Sequence, residues 1–248
     1  CLFFLKADYG IYGVIISLST GQIFTIIVSA YYLSKKGLKI SWSGFEILRD
    51  KAFRAMFLSL VANYIIAQGY VLYEKWGMSL FGNGVISSFQ YSVLIVTSII
   101  SILAYPMINL IWPKFLEQEH SGNKKLMIQS GINAALPMMF ILTVVCIFIF
   151  NSDEEIITIL FYRGEFDLVS LELTARALYL TIFAALPISI YTLGLRLIMS
   201  QRRSALVAAA GTGVGIIGIF IIYMSLKLNS VYLLQSHWLI SNSFGALF

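Results

Sequence analysis

Charge is what this chain has least of. Only 12% of its 248 residues are Asp, Glu, Lys or Arg, while 59% are hydrophobic. That balance excludes a water-soluble globule with a charged surface, because too few polar groups remain to cover one. Cysteine is scarce too: Cys1 and Cys146 have no spacing that suggests a metal site or a disulfide framework. Histidine is limited to His120 and His237, far apart in sequence and without evident partners. No nucleophile–base pair, no paired carboxylates within an apolar run and no ATP motif can be read. These absences disfavour an enzyme and give no reason to expect a cofactor or a metal.

What the chain has instead is length without charge. Seven segments, Tyr9–Leu33, Phe53–Tyr73, Val85–Trp112, Leu126–Phe150, Leu173–Ile198, Ala205–Leu226 and Val231–Phe248, are apolar and close to the roughly 20 residues a spanning helix needs. A barrel would require short alternating strands, and these runs are too long and continuous for that. The expected class is an all-α, polytopic helical membrane protein with about seven transmembrane helices.

The net charge of +5 invites a nucleic-acid reading, but its placement argues against one. Lys35, Lys36, Lys39, Arg49, Lys51 and Arg54 crowd the first connection, Lys114, Lys124 and Lys125 the third, and Arg202 and Arg203 the fifth. The connections between them hold Glu74 with Lys75, then Asp153, Glu154 and Glu155, then Lys227. Basic loops on every second connection are the positive-inside pattern, so 34–52, 113–125 and 199–204 are expected in the cytoplasm and 74–84, 151–171 and 227–230 outside. The domain reading follows: 1–52 is a preceding transmembrane helix with its basic cytoplasmic loop, and 53–248 is a bundle carrying an external amphipathic helix near 153–162. Asn151 and Ser152 are expected N-caps for that helix, its acidic first turn suits the helix dipole, and Ile156, Ile157, Leu160 and Phe161 form its apolar face. It is expected to break at Arg163-Gly164, with Ser170 starting the next helix and Arg163 capping or ordering the loop. Apolar residues run to both ends, which suggests a piece of a longer membrane protein.

Polar residues recur along one face of several spans. Ser87, Tyr91, Ser98, Ser101, Tyr105 and Asn109 do so in the third, Thr174, Thr181, Ser189, Thr192 and Arg196 in the fifth, and Ser59, Asn63 and Tyr70 in the second, which ends near Glu74. Such stripes should face other helices or a shared hydrophilic cavity. Pro106, Pro137 and Pro187 should bend their helices. The run Gly211-Thr212-Gly213-Val214-Gly215 with Gly218 lacks the Lys-Ser/Thr ending of a phosphate loop and reads as a close helix-packing surface.

The order of several motifs carries a resemblance. Leu110-Ile111-Trp112-Pro113-Lys114-Phe115 ends a span, Ser121-Gly122-Asn123 follows in a loop, and Ala135-Leu136-Pro137 lies inside the next span. Then come Leu160-Phe161-Tyr162-Arg163-Gly164-Glu165-Phe166-Asp167, Thr174-Ala175-Arg176-Ala177-Leu178 and Ser200-Gln201-Arg202. Over about residues 9 to 226 this resembles the MurJ/MviN-type lipid II flippases of the multidrug/oligosaccharidyl-lipid/polysaccharide exporter superfamily. The resemblance implies spans six to about twelve of a fourteen-helix protein, covering most of its second lobe, in the bacterial inner (cytoplasmic) membrane. It implies two lobes that rock about a central cavity and pass a polyprenyl-diphosphate-linked cell-wall precursor to the outer leaflet. The implied partners are that lipid-linked glycan, membrane lipids and the missing N-terminal lobe; neither a nucleic acid nor a cofactor is expected. The family's cavity is cationic, yet the positions where the resemblance implies an Asp-Arg pair and a following Glu are Val93, Leu94 and Thr97 here. A flippase for another lipid-linked polysaccharide unit, a cation-coupled small-molecule exporter and a non-transporting scaffold are the alternatives. The cation-coupled exporter would need a buried acid, and no Asp or Glu falls mid-span. The substrate-binding candidates are Asn63, Gln68, Gln90 and Tyr91 as hydrogen-bonding groups for a sugar headgroup, with Arg54 and Arg196 near the cytoplasmic mouth; Arg54 also fits an interfacial anchor.

Overall fold

The computed structural model describes residues 2–36, 51–162, 164, 166–201 and 203–247; the expectations for Arg163 and Arg202 fall outside them. All regular structure among the described residues is helical. The chain divides into two units, Cys1–Arg54 and Ala55–Phe248. The first contains α1 (Leu2–Lys35), 34 residues or about 51 Å at 1.5 Å per residue. Its described side chains Ile23, Phe24, Ile26, Ile27, Tyr31 and Tyr32 are all exposed, and Thr20 and Thr25 donate to the carbonyls of Ile16 and Gly21 in their own helix.

The second unit holds most of α2 (Lys51–Ser79), then α3 (Val85–Ile99), α4 (Tyr105–His120), α5 (Lys124–Asn151), α6 (Asp153–Phe161), α7 (Leu168–Thr181), α8 (Ala185–Ser200), α9 (Ser204–Lys227) and α10 (Val231–Gly245). A π turn over Ile100–Ala104 joins α3 to α4, and a 3-10 turn over Ile182–Ala184 joins α7 to α8. Four stretches among the described residues, Val85–His120, Lys124–Asn151, Leu168–Ser200 and Ala205–Lys227, are long and apolar enough to cross a membrane. The α2 helix also has the length, with Lys51, Arg54, Glu74 and Lys75 confined to its ends and residues 55–73 free of charge, whereas α10 has only 15 residues.

Two prolines shape their helices in different ways. Pro106 cannot donate to the carbonyl four residues back, and the preceding turn widens so that the Tyr105 amide donates to Ile100, five residues away. Before Pro187 the chain tightens instead, with the Ala185 amide donating to Ile182. Pro137 sits in uninterrupted α-helix.

The main core gathers Ile99, Ile100, Ile108, Phe115, Leu142, Leu178 and Ile182 from α3, α4, α5, α7 and their joints. A second cluster, Met78, Val85, Phe89, Ile222 and Leu234, ties the C-terminal part of α2 to α3, α9 and α10. Gly84, at φ 86°, makes the turn into α3 in a region that a side chain would strain.

The loop helix differs from expectation in three details. Asn151 is the last residue of α5, where its side chain donates to the Ile147 carbonyl, and Ser152 holds the cap position of α6 without a side-chain bond. The α6 helix ends at Phe161, and the next helix starts at Leu168, capped by Asp167, which accepts from the Ser170 amide at 2.8 Å. Bonds from the Ser170 amide and then its hydroxyl hold the Asp167 carboxyl below the usual carboxylate range. The apolar face of α6 is also more than a membrane contact: Ile157 is fully buried in the main core, and Phe161 stacks near Tyr91 and Phe166.

The polar face of the fifth span turns inward. Thr174, Thr181 and Ser189 are buried, and with Thr192 they donate to Ser170, Ala177, Ala185 and Ile188 in their own helix at 2.7–2.9 Å. These hydroxyls are satisfied without a cavity, because a helix offers each one a carbonyl four residues back. Thr181→Val, which keeps the shape, is therefore expected to change the thermal stability of the intact protein by less than about 1 kcal/mol. A larger loss in a detergent melt would mean that the hydroxyl has an interhelical partner.

Candidate functional site

The polar faces expected to share one cavity go to three different places. That of the third span points outward: Ser87, Gln90, Tyr91, Ser98, Ser101, Tyr105 and Asn109 are all exposed. That of the fifth span is buried and self-bonded, as above. The α2 face turns against the glycine stripe of α9. There a Cβ at Gly211 would fall 2.7 Å from Asn63 Oδ1, and one at Gly218 would fall 2.5 Å from the Tyr70 ring. The glycines are therefore a close-packing surface, as their sequence suggests.

The six candidate residues lie in separate surroundings. Gln68 and Gln90 are exposed, and Asn63 is half-buried against Gly211. Tyr91 keeps a partly exposed ring that packs on Phe161 at 4.7 Å and Phe166 at 5.4 Å between centroids, so it also braces the loop after α6. Arg196 is half-buried, with its guanidinium over the Trp112 ring at 5.3 Å. Arg54 is exposed and belongs to the first unit. Of the positions without the expected charges, Val93 packs beside the second cluster and Leu94 is 52% exposed. Thr97 donates to the Val93 carbonyl.

The structure also assembles a polar site that the sequence reading missed. Tyr70, Thr97, Tyr105, Ser241 and Asn242 line a cavity of about 280 Å³. Tyr105 belongs both to this cavity and to the exposed face of the third span, so the two meet there. Beside the cavity, the Tyr70 ring lies 5.9 Å from that of His237. His237 Nε2 is 2.9 Å from Glu74 Oε2, and both residues are buried.

This corrects two expectations. Glu74 does not lie in an external loop, because α2 continues to Ser79 and the carboxyl is buried inside the bundle. His237 is not isolated, since its partner is 163 residues away in sequence. A signal was available: Tyr70 and Glu74, like His237 and Ser241, are spaced i, i+4; Glu74 meets His237, while Tyr70 and Ser241 line one cavity. His120 is exposed and shares a polar cleft of about 500 Å³ with Glu119, Ser200 and Gln201. Among the described residues no group of three or more His, Cys, Asp or Glu could hold a metal.

Long apolar helices, two of them interrupted by a widened or tightened turn, make this a polytopic helical membrane fold. The solved structure it resembles is titled "Outward-facing conformation of a multidrug resistance MATE family transporter of the MOP superfamily", with a TM-score of 0.66 and 12% sequence identity over 85% of this chain and 47% of that one. The chain thus spans about half the length of that transporter, and the likeness establishes the fold. The family model described as "Lipid II flippase MurJ" matches residues 1–234, and the chain belongs to that family. No curated protein matches it at a significant level.

Proposed function

We propose that this chain forms most of the second lobe of a flippase that carries lipid II, a polyprenyl-diphosphate-linked cell-wall precursor, from the cytoplasmic to the outer leaflet of the bacterial inner membrane by alternating access. The family match over residues 1–234 is the observation that carries this reading. The exposed polar face of the third span supports it, because seven polar residues facing hydrocarbon would be costly and a first lobe across a wet cavity would remove that cost. In this reading Asn63, Gln68, Gln90 and the edge of Tyr91 are the hydrogen-bonding groups for the sugar headgroup, the first two from α2 and the others from α3. Arg196, already stacked on Trp112, and Arg54 serve the diphosphate near the cytoplasmic mouth.

A second reading keeps the mechanism and changes the cargo. Val93, Leu94 and Thr97 put no charge where a diphosphate would be gripped, and Leu94 is half exposed on that surface. This favours a different lipid-linked polysaccharide unit.

Complementation by the intact protein in cells depleted of their lipid II flippase separates the two. Rescue is expected, with Gln90→Ala and Arg54→Ala each lowering transport about fivefold through the loss of about 1 kcal/mol of hydrogen bonding. Failure to rescue despite normal membrane expression would transfer the assignment to a polysaccharide-unit flippase. Full rescue by both variants would remove these two residues from the site.

A further inference from the structure

The cavity of about 280 Å³ is built from neutral groups alone. Tyr70, Thr97, Tyr105, Trp238, Ser241 and Asn242 give it polar and aromatic walls, and no Asp, Glu, Lys or Arg is among the described residues that line it. An anion there would find no cation and a cation no carboxylate, so a charged ligand would be stranded. The walls offer uncharged hydrogen-bonding groups of fixed sense instead. Thr97 donates to the Val93 carbonyl at 2.8 Å and Ser241 to the Trp238 carbonyl, so both hydroxyls present lone pairs to the cavity. Asn242 spends one amide hydrogen on the Trp238 carbonyl at 2.8 Å, leaving the other and its carbonyl oxygen for a ligand. The Tyr105 hydroxyl has no hydrogen-bond partner among the described residues and can both donate and accept.

The π turn sets the register of these groups. Thr97 and Tyr105 stand eight residues apart, which in unbroken α-helix would rotate them about 80° from each other. The wide turn over Ile100–Ala104 takes up one extra residue, so the pair behaves as i, i+7 neighbours on one face. On α10, Trp238, Ser241 and Asn242 are spaced i, i+3, i+4 and share a face in the same way. The Trp238 ring is held in place by the edge of Phe89, 6.2 Å away between centroids. Tyr105 is 43% exposed, so the cavity opens on the polar face of the third span. Its volume equals that of about nine waters, enough for one sugar ring and too little for a disaccharide.

We propose that this cavity is a subsite for one uncharged hexose ring of the transported headgroup, with Tyr70 and Trp238 as its apolar walls, Asn242 bonding its polar substituents and Tyr105 at the mouth. Each hydroxyl of such a ring can donate to Thr97 or Ser241 and accept from Asn242 or Tyr105, while the C–H faces of the ring cover the aromatic side chains. Water would satisfy the same polar groups and leave the aromatic walls wet. The charged part of the headgroup is held apart from the ring. The Arg196 guanidinium lies over Trp112, which follows Tyr105 by two turns of α4, about 10 Å along the axis. That separation matches a sugar and a diphosphate carried on one headgroup. The inference rests on the reading of the cargo as a lipid-linked glycan, whichever glycan it is.

Saturation-transfer difference NMR of the intact protein in lipid nanodiscs tests it, with N-acetylglucosamine as the uncharged probe and inorganic pyrophosphate as a charged competitor. The wild type is expected to bind the sugar with a Kd of about 1 mM, as befits a single ring. Asn242→Leu should weaken binding about tenfold or more, and pyrophosphate should leave it unchanged. If Asn242→Leu fails to insert, Thr97→Val serves in its place; it keeps the shape, removes one acceptor and should weaken binding about fivefold. No sugar signal from the wild type at about 10 mM, displacement by pyrophosphate, or wild-type affinity in the variant would each overturn the proposal. Failure of the cargo reading registers separately. A protein that binds the sugar in this cavity yet does not rescue flippase-depleted cells keeps the subsite and changes the cargo. Rescue without sugar binding removes the subsite and leaves the flippase reading standing.

Discussion

Glu74→Ala is expected to destabilise the intact protein by about 3–5 kcal/mol, the largest effect of any single substitution considered for this bundle. The reason is what it leaves behind. His237 is fully buried, with Nδ1 committed to the Leu234 carbonyl, and it would face an empty site where Oε2 had been. Its neighbours Phe89 and Ile222 offer the ring no replacement hydrogen-bond partner. His237→Ala should cost a similar amount by stranding the carboxyl instead. Removing both partners is a different matter, because two apolar side chains of similar volume have no desolvation cost to offset. Glu74→Met with His237→Leu should therefore recover most of the lost stability. Thermal unfolding in detergent, followed by the monodisperse fraction that survives heating, would compare the wild type with the three variants. If Glu74→Ala melts within about 1 kcal/mol of the wild type, the pair is not the buried link described.

The bundle was largely legible in the sequence because lipid imposes one rule that hydropathy reads directly: backbone groups must bond within the segment. Helices cover the first six apolar segments and the seventh as far as Gly245, and Gly211 and Gly218 pack closely against α2. What periodicity could not reveal was which side a polar stripe faces. Thr174, Thr181 and Ser189 follow the same spacing as Ser87, Tyr91 and Ser98, yet the first set is buried and bonded to its own helix while the second is exposed. A hydroxyl can bond four residues back in either setting, so its presence does not identify a cavity. Glu74 was misplaced for a related reason. Apolar character lapses after Tyr73, which resembles the end of a span, but α2 continues because His237 accommodates the carboxyl. A contact between residues so distant in sequence becomes visible only when the i, i+4 pairs on α2 and α10 are considered together. Likewise, Tyr91 fits a headgroup contact by spacing alone, while its ring also braces Phe161 and Phe166.

Gly218→Ala is expected to cost about 1–3 kcal/mol, an overpacking penalty from a single methyl group. That methyl would lie 2.5 Å from Cε2 of Tyr70, 3.0 Å from Cζ and 3.1 Å from the hydroxyl oxygen. The ring has little freedom to move aside, since it packs against the second cluster and lies 5.9 Å from the His237 ring. At Gly211 the close atoms are the amide end of Asn63, which can rotate away, so Gly211→Ala should cost less despite a Cβ only 2.7 Å from Oδ1. Gly213 has nothing within 4 Å, and Gly213→Ala should be neutral or stabilising by up to about 1 kcal/mol through reduced backbone entropy in the unfolded chain. Detergent melts of the three variants would rank them, and equal stability for Gly218→Ala and Gly213→Ala would refute close packing of α9 on Tyr70. Tyr70→Leu combined with Gly218→Ala should relieve the clash and restore stability.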